Sequence, residues 1–407
     1  MLSTYIRFPP SENVKYINKH AVLDLVRFTP GGISRVALAQ RLALTRAAVT
    51  PIVNDLIQSG LIHETQSHTA SSGRPPILLE INAGRGIVAG IDMGASHLII
   101  LIANFAAQVL TEQEIPFNIA DGPQDCIQKA DENLRSLLAG LGLGLRDLAA
   151  IGLGVPGPTV AKAGMVLAPP IMPGWDRFPI RDTLEKLWGC PVSLNNDAEL
   201  GVLGEWAYGA GRGEQNLAYI KVGTGIGAGL FIDGQIYRGA TGSAGEIGHM
   251  TIDENGPLCT CGNRGCLEAM AGGKAIVAKA REAIQSNRRT ELAEHPSPET
   301  MTALDIAKAA ARGDLVAQEI LVEAGNQLGI AITSLVNLFN PNIVVVGGGV
   351  AQTGDLFLEP VRKTVLKRSL PAAAQAVRIT TSLLGRRSTC MGAVVQALST
   401  ALHKIAA

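Results

Sequence analysis

The sequence predicts an α/β chain in two parts: a small winged helix-turn-helix module, then a duplicated two-lobed core. Two observations predict this. Within residues 1–82, three short helical stretches lead into two strand-like runs around a polar loop. Behind them, two glycine-rich turns, each set between apolar runs, open the two halves of the remaining chain, the pattern of a duplicated fold. The boundaries read as 1–82, 83–196 and 197–407.

In the first part, Asn13 is placed to cap a helix on which Val14, Ile17, Ala21, Leu25 and Phe28 recur at helical spacing. Ser34 caps a second, RVALAQRL, and Thr45 a third, RAAVTPIVNDLIQSG, which Gly60 stops. Three short helices with a tight turn between the last two follow the helix-turn-helix plan. Residues 61–64 and ILLEIN then read as strands on either side of TQSHTASSGRPP, a wing. In this plan the third helix enters a DNA major groove, led by Thr45, Arg46, Ala47 and Thr50. The wing tip, with Ser72, Gly73 and Arg74, reaches the backbone or the minor groove. The alternative is an interaction module that never touches DNA. Pro51 lies inside the third helix, where proline costs about 3 kcal/mol. Either that helix kinks or it starts later than Thr45.

In the second part, GIVAGIDMGASHLIILIANFAAQVL is a hairpin with Asp92, Gly94 and Ser96 at its turn. An acid, a glycine and a hydroxyl there suit a phosphate and its Mg²⁺, although an ordinary turn would look the same. A helix is predicted over 123–138 and a buried strand at AAIGLGVPGP. Trp175 either stacks on a ligand or covers the core. The strand VSLNND ends on Asn196 and Asp197. An acid at that strand end is placed as a general base, and equally as the cap of the helix AELGVLGEWAYG.

The second hairpin, NLAYIKVGTGIGAGLFIDGQIYRG, offers Thr224, Gly225 and their amides to nucleotide phosphates. Near the end, NIVVVGGGVA runs into Gly347, Gly348 and Gly349, where a base or ribose could lie on bare backbone. Residues 286–300 read as a surface excursion, followed by two helices, and a last helix is predicted at MGAVVQALSTALHKI.

Between these lies GEIGHMTIDENGPLCTCGNRGCLE, with His249, Cys259, Cys261 and Cys266 bracketed by Glu246 and Glu268. Four such ligands close a tetrahedral zinc site and leave no open position, so the zinc is expected to be structural. Cys126, Cys190 and Cys390 read as small buried hydrophobes.

Composition narrows the function. Hydrophobic residues make up 47% and charged residues 17%, as in a soluble protein with a large core. The net charge is zero, so charge as a whole suggests neither nucleic acid nor membrane. The first 82 residues carry eight Lys and Arg against five acids, a mild excess of +3. No apolar run is long enough to span a bilayer, and MLSTYIRFPPSEN lacks a signal-peptide core. A cytoplasmic protein with no membrane partner is expected, where clustered cysteines favour metal over disulfide.

Taken together, the winged helix, IDMGAS, GVPGP, NNDAELG, GTGIGAG, GEIGH, CTCGNRGCLE and VVVGGG resemble, in order, the ROK family (repressors, open reading frames and kinases). That family lies in the sugar kinase, actin and Hsp70 ATPase superfamily. The resemblance implies an actin-like, ribonuclease H-like core and the regulator branch. It implies Asp197 as the base that deprotonates a sugar in the kinases. It implies sugar-binding positions at Asn196, Asp197, Glu246, His249 and Glu268, with His249 also among the zinc ligands. Asp92, Gly94, Thr224 and Gly225 match the phosphate hairpins. The chain departs from the kinases in Ala95-Ser96-His97, where they carry Gly-Thr-Lys, and in Asn195, where they often carry an acid. Both departures lie on the phosphate and catalytic side.

Three functions follow as expectations. The first is a sugar-responsive repressor of carbohydrate genes, a homodimer or tetramer on palindromic operator DNA. The second is an ATP-dependent sugar kinase, with Mg-ATP and Asp197 as base, carrying a DNA-binding appendage. The third is a scaffold whose core only dimerises the DNA-binding part.

Overall fold

A computed structural model describes residues 14–66 and 76–406. The N-terminal module has helices α1 (Val14–Phe28), α2 (Arg35–Arg41) and α3 (Arg46–Gln58), then strands β1 (Ile62–Gln66) and β2 (Ile77–Ile81). Two side chains set the helix starts. Ser34 Oγ accepts from the Ala37 amide at 3.2 Å, and Thr45 Oγ1 from the Ala48 amide at 3.2 Å. Helix α3 therefore begins at Arg46, not later, and passes through an exposed Pro51. Leu23, Leu38, Val49, Val53 and Leu56 are fully buried between the three helices. The wing strands are antiparallel, and Ile33 bridges to Leu79 to widen them. Asn13, Ser72, Gly73 and Arg74 lie outside the described residues.

The first lobe contains β3 (Ile87–Met93), β4 (His97–Asn104), β5 (Val109–Pro116), α4 (Pro123–Gly140) and β6 (Leu148–Val155). It continues with a small hairpin, β7 (Thr159–Val160) and β8 (Met165–Val166), then α5 (Ile180–Trp188) and β9 (Val192–Asn196). Its sheet runs β5-β4-β3-β6-β9. Helix α6 (Asp197–Tyr208) leads out of it.

The second lobe contains β10 (Leu217–Val222), β11 (Ile226–Ile232), β12 (Gln235–Tyr237), α7 (Leu267–Ala271) and α8 (Gly273–Gln285). Helices α9 (Ala303–Ala311) and α10 (Leu315–Phe339), strand β13 (Ile343–Gly347), helices α11 (Asp355–Arg368) and α12 (Pro371–Ala376), and strand β14 (Arg378–Thr381) follow. Its sheet runs β12-β11-β10-β13-β14, the same order strand for strand. In both sheets a hairpin pairs antiparallel and the later strands pair parallel. Parallel strands covered on both faces need near-continuous apolar runs, which LAAIGLGV in β6 and IVVVG in β13 supply.

The last helix, α13 (Ser388–Ala406), does not stay with the second lobe. It lies across β3 and β6 of the first. Gly90 and Gly152 make this possible, because a Cβ at either would strike the backbone carbonyl of Cys390 or Ala393. Its Gly392 likewise sits against the Leu200 carbonyl of α6. The lobes are thus bound by packing that crosses the sequence boundary at 197.

The N-terminal module docks on these two helices. Arg27 donates to Ser399 Oγ at 2.9 Å and to the Val395 carbonyl at 2.8 Å. Phe28 meets Trp206 of α6 edge-on at 4.9 Å, and His20 stacks on His403 of α13 at 3.9 Å. One continuous apolar core joins Leu23 and Val26 to Val394, Leu398 and Leu402. Trp175 is fully buried, its Nε1 donating to the Ile119 carbonyl at 3.1 Å, so it covers the core. Cys126, Cys190 and Cys390 are buried. Among the described residues no single helix is long and apolar enough to cross a membrane.

Candidate functional site: the interlobe cleft and its cysteine loop

A cleft of about 850 Å³ opens between the lobes where the central strands of both sheets end. Open α/β sheets present ligand sites at such strand ends. Asn196 closes β9 and caps α6: its Oδ1 accepts from the amides of Ala198 (2.8 Å) and Glu199 (3.2 Å). Its Nδ2 donates to the Gly157 carbonyl at 3.0 Å. The capping role that the sequence offered to Asp197 thus falls to Asn196. Asp197 is the first helical residue, and its carboxylate faces the cleft.

Glu246, His249 and Glu268 line the same cleft from the second lobe. Glu268 Oε2 accepts from the Ile226 amide at 3.0 Å, which seats its carboxylate over Gly225. Burial raises the Glu246 carboxyl above the usual range, and the charges of Asp197 and Glu268 add to this against the pull of His249. Three carboxyls and an imidazole around one cavity are hydrogen-bonding groups of the kind that hold polyhydroxylated ligands.

The cysteine loop builds this wall. His249 ends a single 3-10 turn whose cap is Glu246, and Cys266 is the residue from which α7, with Glu268 on it, starts. The ligand atoms of His249, Cys259, Cys261 and Cys266 all lie within 4.8 Å of one another. Cys261 Sγ stands 3.7 Å from Cys266 Sγ, and Cys259 Sγ stands 3.7 Å from His249 Nδ1. A tetrahedron with Zn–S bonds of about 2.3 Å has edges of about 3.8 Å, so these donors fit a zinc ion. The Asn263 backbone holds the Cys261 thiol down to about 7, whereas burial and its sulfur neighbours push Cys266 up to about 12.

The opposite end of the cleft differs. Asp92 is buried at the end of β3, and its Oδ2 receives Lys221 Nζ at 3.2 Å and His97 Nε2 at 3.2 Å. Lys221 Nζ also donates to Asp197 Oδ2 at 2.9 Å and lies 3.4 Å from Thr389 Oγ1. Burial alone would raise Asp92, but Lys221 and His97 hold it far below the usual carboxylate range. Burial would likewise lower Lys221, and Asp197 and Asp92 hold it well above the usual ammonium value.

Of the predicted phosphate positions, Asp92, Ser96, Thr224, Gly225 and Gly348 line the cleft. Gly94 lies under the His97 ring, where a Cβ would come within 2.5 Å of it. Gly347 packs on the buried Tyr219 ring and does not line the cavity. Four further residues went unnoticed in the sequence: Lys221, Thr389, and the pair Glu199–Arg238, joined at 3.1 Å. Lys221 left one sign, a lone charge in the apolar run LAYIKV.

Thr45, Arg46, Ala47 and Thr50 share the exposed leading end of α3. Thr50 Oγ1 bonds back to the Arg46 carbonyl at 2.8 Å. Nearby, Arg35 ties Asn54 of α3 (3.0 Å) to Glu64 of the wing (2.8 Å), which fixes helix and wing relative to each other.

Comparison with known proteins agrees with this architecture. Residues 88–399 match the model of the ROK family. The xylose repressor of Caldicellulosiruptor bescii is 31% identical over 386 residues, spanning 95% of this chain and 96% of its own. The crystal structure of a ROK family transcriptional regulator, a homologue of the Escherichia coli Mlc protein, superposes with a TM-score of 0.81. It is 30% identical, and the match covers 97% of this chain and 99% of that one. A ROK family glucokinase from Streptomyces griseus, solved with glucose and AMPPNP, superposes with a TM-score of 0.67 at 29% identity. It covers 77% of this chain and 99% of its own. With its winged helix in front of a kinase-like core, the chain belongs to the ROK family, on its transcriptional-regulator branch.

Proposed function

We propose that the chain is a sugar-responsive, DNA-binding repressor of carbohydrate genes. A monosaccharide or a derivative binds in the interlobe cleft and changes how the winged helix meets DNA. One observation carries this reading: two helices run from the cleft to the DNA-binding module. Helix α6 starts at Asp197, and its Trp206 packs on Phe28. Helix α13 starts beside the cleft, where Thr389 Oγ1 donates to the Asp197 carbonyl at 3.1 Å, and its His403 stacks on His20. A ligand that engages Asp197 therefore acts on the first turn of α6 and, through Thr389, on α13. Packed helices shift as rigid rods, and coupling of this kind is reciprocal between the two sites.

In this reading Asn196, Asp197, Glu246, His249 and Glu268 hold the sugar hydroxyls. A structural zinc on His249, Cys259, Cys261 and Cys266 fixes the wall they stand on. Thr45, Arg46, Ala47 and Thr50 read the major groove, and Arg74 reaches the backbone or minor groove. The protein acts in the cytoplasm as a homodimer or tetramer on a palindromic operator. The names of the relatives, a xylose repressor and a Mlc homologue, support this direction.

Fluorescence anisotropy with promoter fragments, with and without a panel of monosaccharides, tests the reading. Salt-dependent binding to a specific duplex, altered by one sugar, is expected. The Phe28→Ala variant should still bind DNA and sugar but lose the effect of one on the other. Failure to bind any duplex under either condition removes the proposal's foundation. A working sugar kinase is the competing reading, favoured by the similarity to glucokinases. Coupled ADP release on any hexose, abolished by Asp197→Asn, would establish it.

A further inference from the structure

The resemblance to the family's kinases implies magnesium and nucleotide phosphates at the end of the cleft marked by Asp92, Gly94, Thr224 and Gly225. In this chain the donor set at that end does not fit them. Asp92 and Lys221 hold matching places in the duplicated sheets: each is the last residue but one of its lobe's central strand. Each also lies opposite a glycine on the parallel neighbour, Asp92 opposite Gly154 and Lys221 opposite Gly347. The two lobes thus point an acid and a base at one another, and these meet at 3.2 Å. The ammonium reaches on to Asp197 at 2.9 Å, with only 14% of the lysine side chain exposed.

A magnesium ion needs carboxylate, phosphate and water oxygens about 2.1 Å away in an octahedron. Here Asp92 Oδ2 and Asp197 Oδ2 already hold a fixed positive charge between them. A divalent cation brought beside Asp92 would meet Lys221 with the same sign in a sheltered site. His97 closes the approach from the other side. Its Nε2 shares the Asp92 oxygen at 3.2 Å, and its ring covers Gly94, the glycine whose bare backbone a phosphate would need. A general base must also be free to accept a proton, whereas Asp197 Oδ2 already accepts from Lys221.

We propose that Lys221, assisted by His97, is a built-in cation that replaces the magnesium–phosphate end of the site. It ties Asp92 to Asp197 across the two lobes and leaves a cleft that binds a sugar without phosphorylating it. This goes beyond the regulator reading and does not depend on which sugar binds.

Isothermal titration of the full-length, zinc-loaded protein with ADP, in the presence and absence of Mg²⁺, tests it. The parent chain should show no Mg²⁺-dependent binding, and neither should Lys221→Arg, which keeps the charge. The double variant Lys221→Thr with His97→Ala should gain Mg²⁺-dependent ADP binding at least about tenfold tighter than the parent's limit, or about 1.4 kcal/mol. Mg²⁺-dependent ADP binding by the parent or by Lys221→Arg overturns the proposal. So does a double variant that keeps its zinc and a cooperative melt yet gains nothing. If the double variant does not fold, the first two proteins decide: binding by either refutes the proposal, and absence in both sustains it. Sugar-induced melting shifts on the same samples read the sugar site separately, so failure of the effector reading remains distinguishable.

Discussion

The hairpins β3–β4 and β10–β11 are one device used twice, and their turns have diverged. Both put a central strand beside a tight turn in sheets of identical order. The first turn is shut, with Gly94 under His97 and Asp92 buried beneath. The second stays open: Gly223, Thr224 and Gly225 line the cleft, and the Gly223 carbonyl takes the Gly273 amide at 2.8 Å. Duplication supplied two equivalent strand ends. Opposite charges there turned a symmetric pair into a lock, while the wall that carries Glu246 and Glu268 stands on the cysteine loop. The Asp92 end is held by ion pairs and, with the proposed zinc, the opposite wall by metal ligation, so different perturbations should break them.

Metal removal should have the largest effect. In the proposed site Cys266 is both a zinc ligand and the residue from which the helix that carries Glu268 starts. Cys266→Ser should strip the zinc, loosen Glu246 and Glu268 together, and lower sugar affinity by about 100-fold or more. Elemental analysis and calorimetry read both effects. Unchanged sugar affinity in metal-free protein would show that the loop does not shape the pocket.

Next in size is Lys221→Met. The aliphatic replacement leaves Asp92, with a side chain only 2% exposed, next to His97 alone. Removing one partner of a buried ion pair costs about 3–5 kcal/mol. The loss should appear in urea denaturation and be partly recovered by adding Asp92→Asn. A loss below about 1 kcal/mol is what an exposed pair gives and would mean the lock is loose.

The join between core and winged helix should break differently, by proton uptake. Burial first, then the neighbouring His403, lower His20 to about 4; Asp24 opposes this and Lys19 adds to it. The sign follows. A histidine whose folded value lies below its unfolded value of about 6.5 is kept neutral by folding. Its contribution is complete above about pH 6.5 and is lost as the pH falls toward 4. The loss approaches about 1.4 kcal/mol per pH unit, or about 2 kcal/mol at pH 5. Fluorescence of Trp206, which touches Phe28, should report it, and His20→Phe should flatten the pH dependence.

What the sequence made legible were features written locally. The caps Ser34 and Thr45 sit three residues from the amides they bind, and the histidine and three cysteines that cluster fall within eighteen residues. What escaped were features that only tertiary structure completes. Lys221 lies 129 residues from Asp92, and nothing in LAYIKV names its partner. The return of α13 to the first lobe depends on Gly90 and Gly152, which in sequence look like any glycines in a strand. Gly347 and Gly348 look alike in VVVGGG, yet the first is fitted to Tyr219 and only the second reaches the cleft.

The smallest effect concerns Asn196, where one atom serves the fold and its neighbour ties down the loop. The Oδ1 atom satisfies two amides at the start of α6, while Nδ2 holds the Gly157 carbonyl. Asn196→Asp keeps the cap and places a favourable charge at a helix N-terminus, but loses the single donor. Asn196→Ala loses both. The aspartate variant should cost less than about 1 kcal/mol and the alanine variant about 1–2 kcal/mol, measured by urea denaturation. Calorimetry should rank the two differently. Gly157 lines the cleft, so the donor bond sets where the loop stands against a bound sugar. Both variants should therefore lose similar sugar affinity despite unequal stability. Equal losses in stability would instead assign the residue's main role to the loop and leave α6 to be capped by other means.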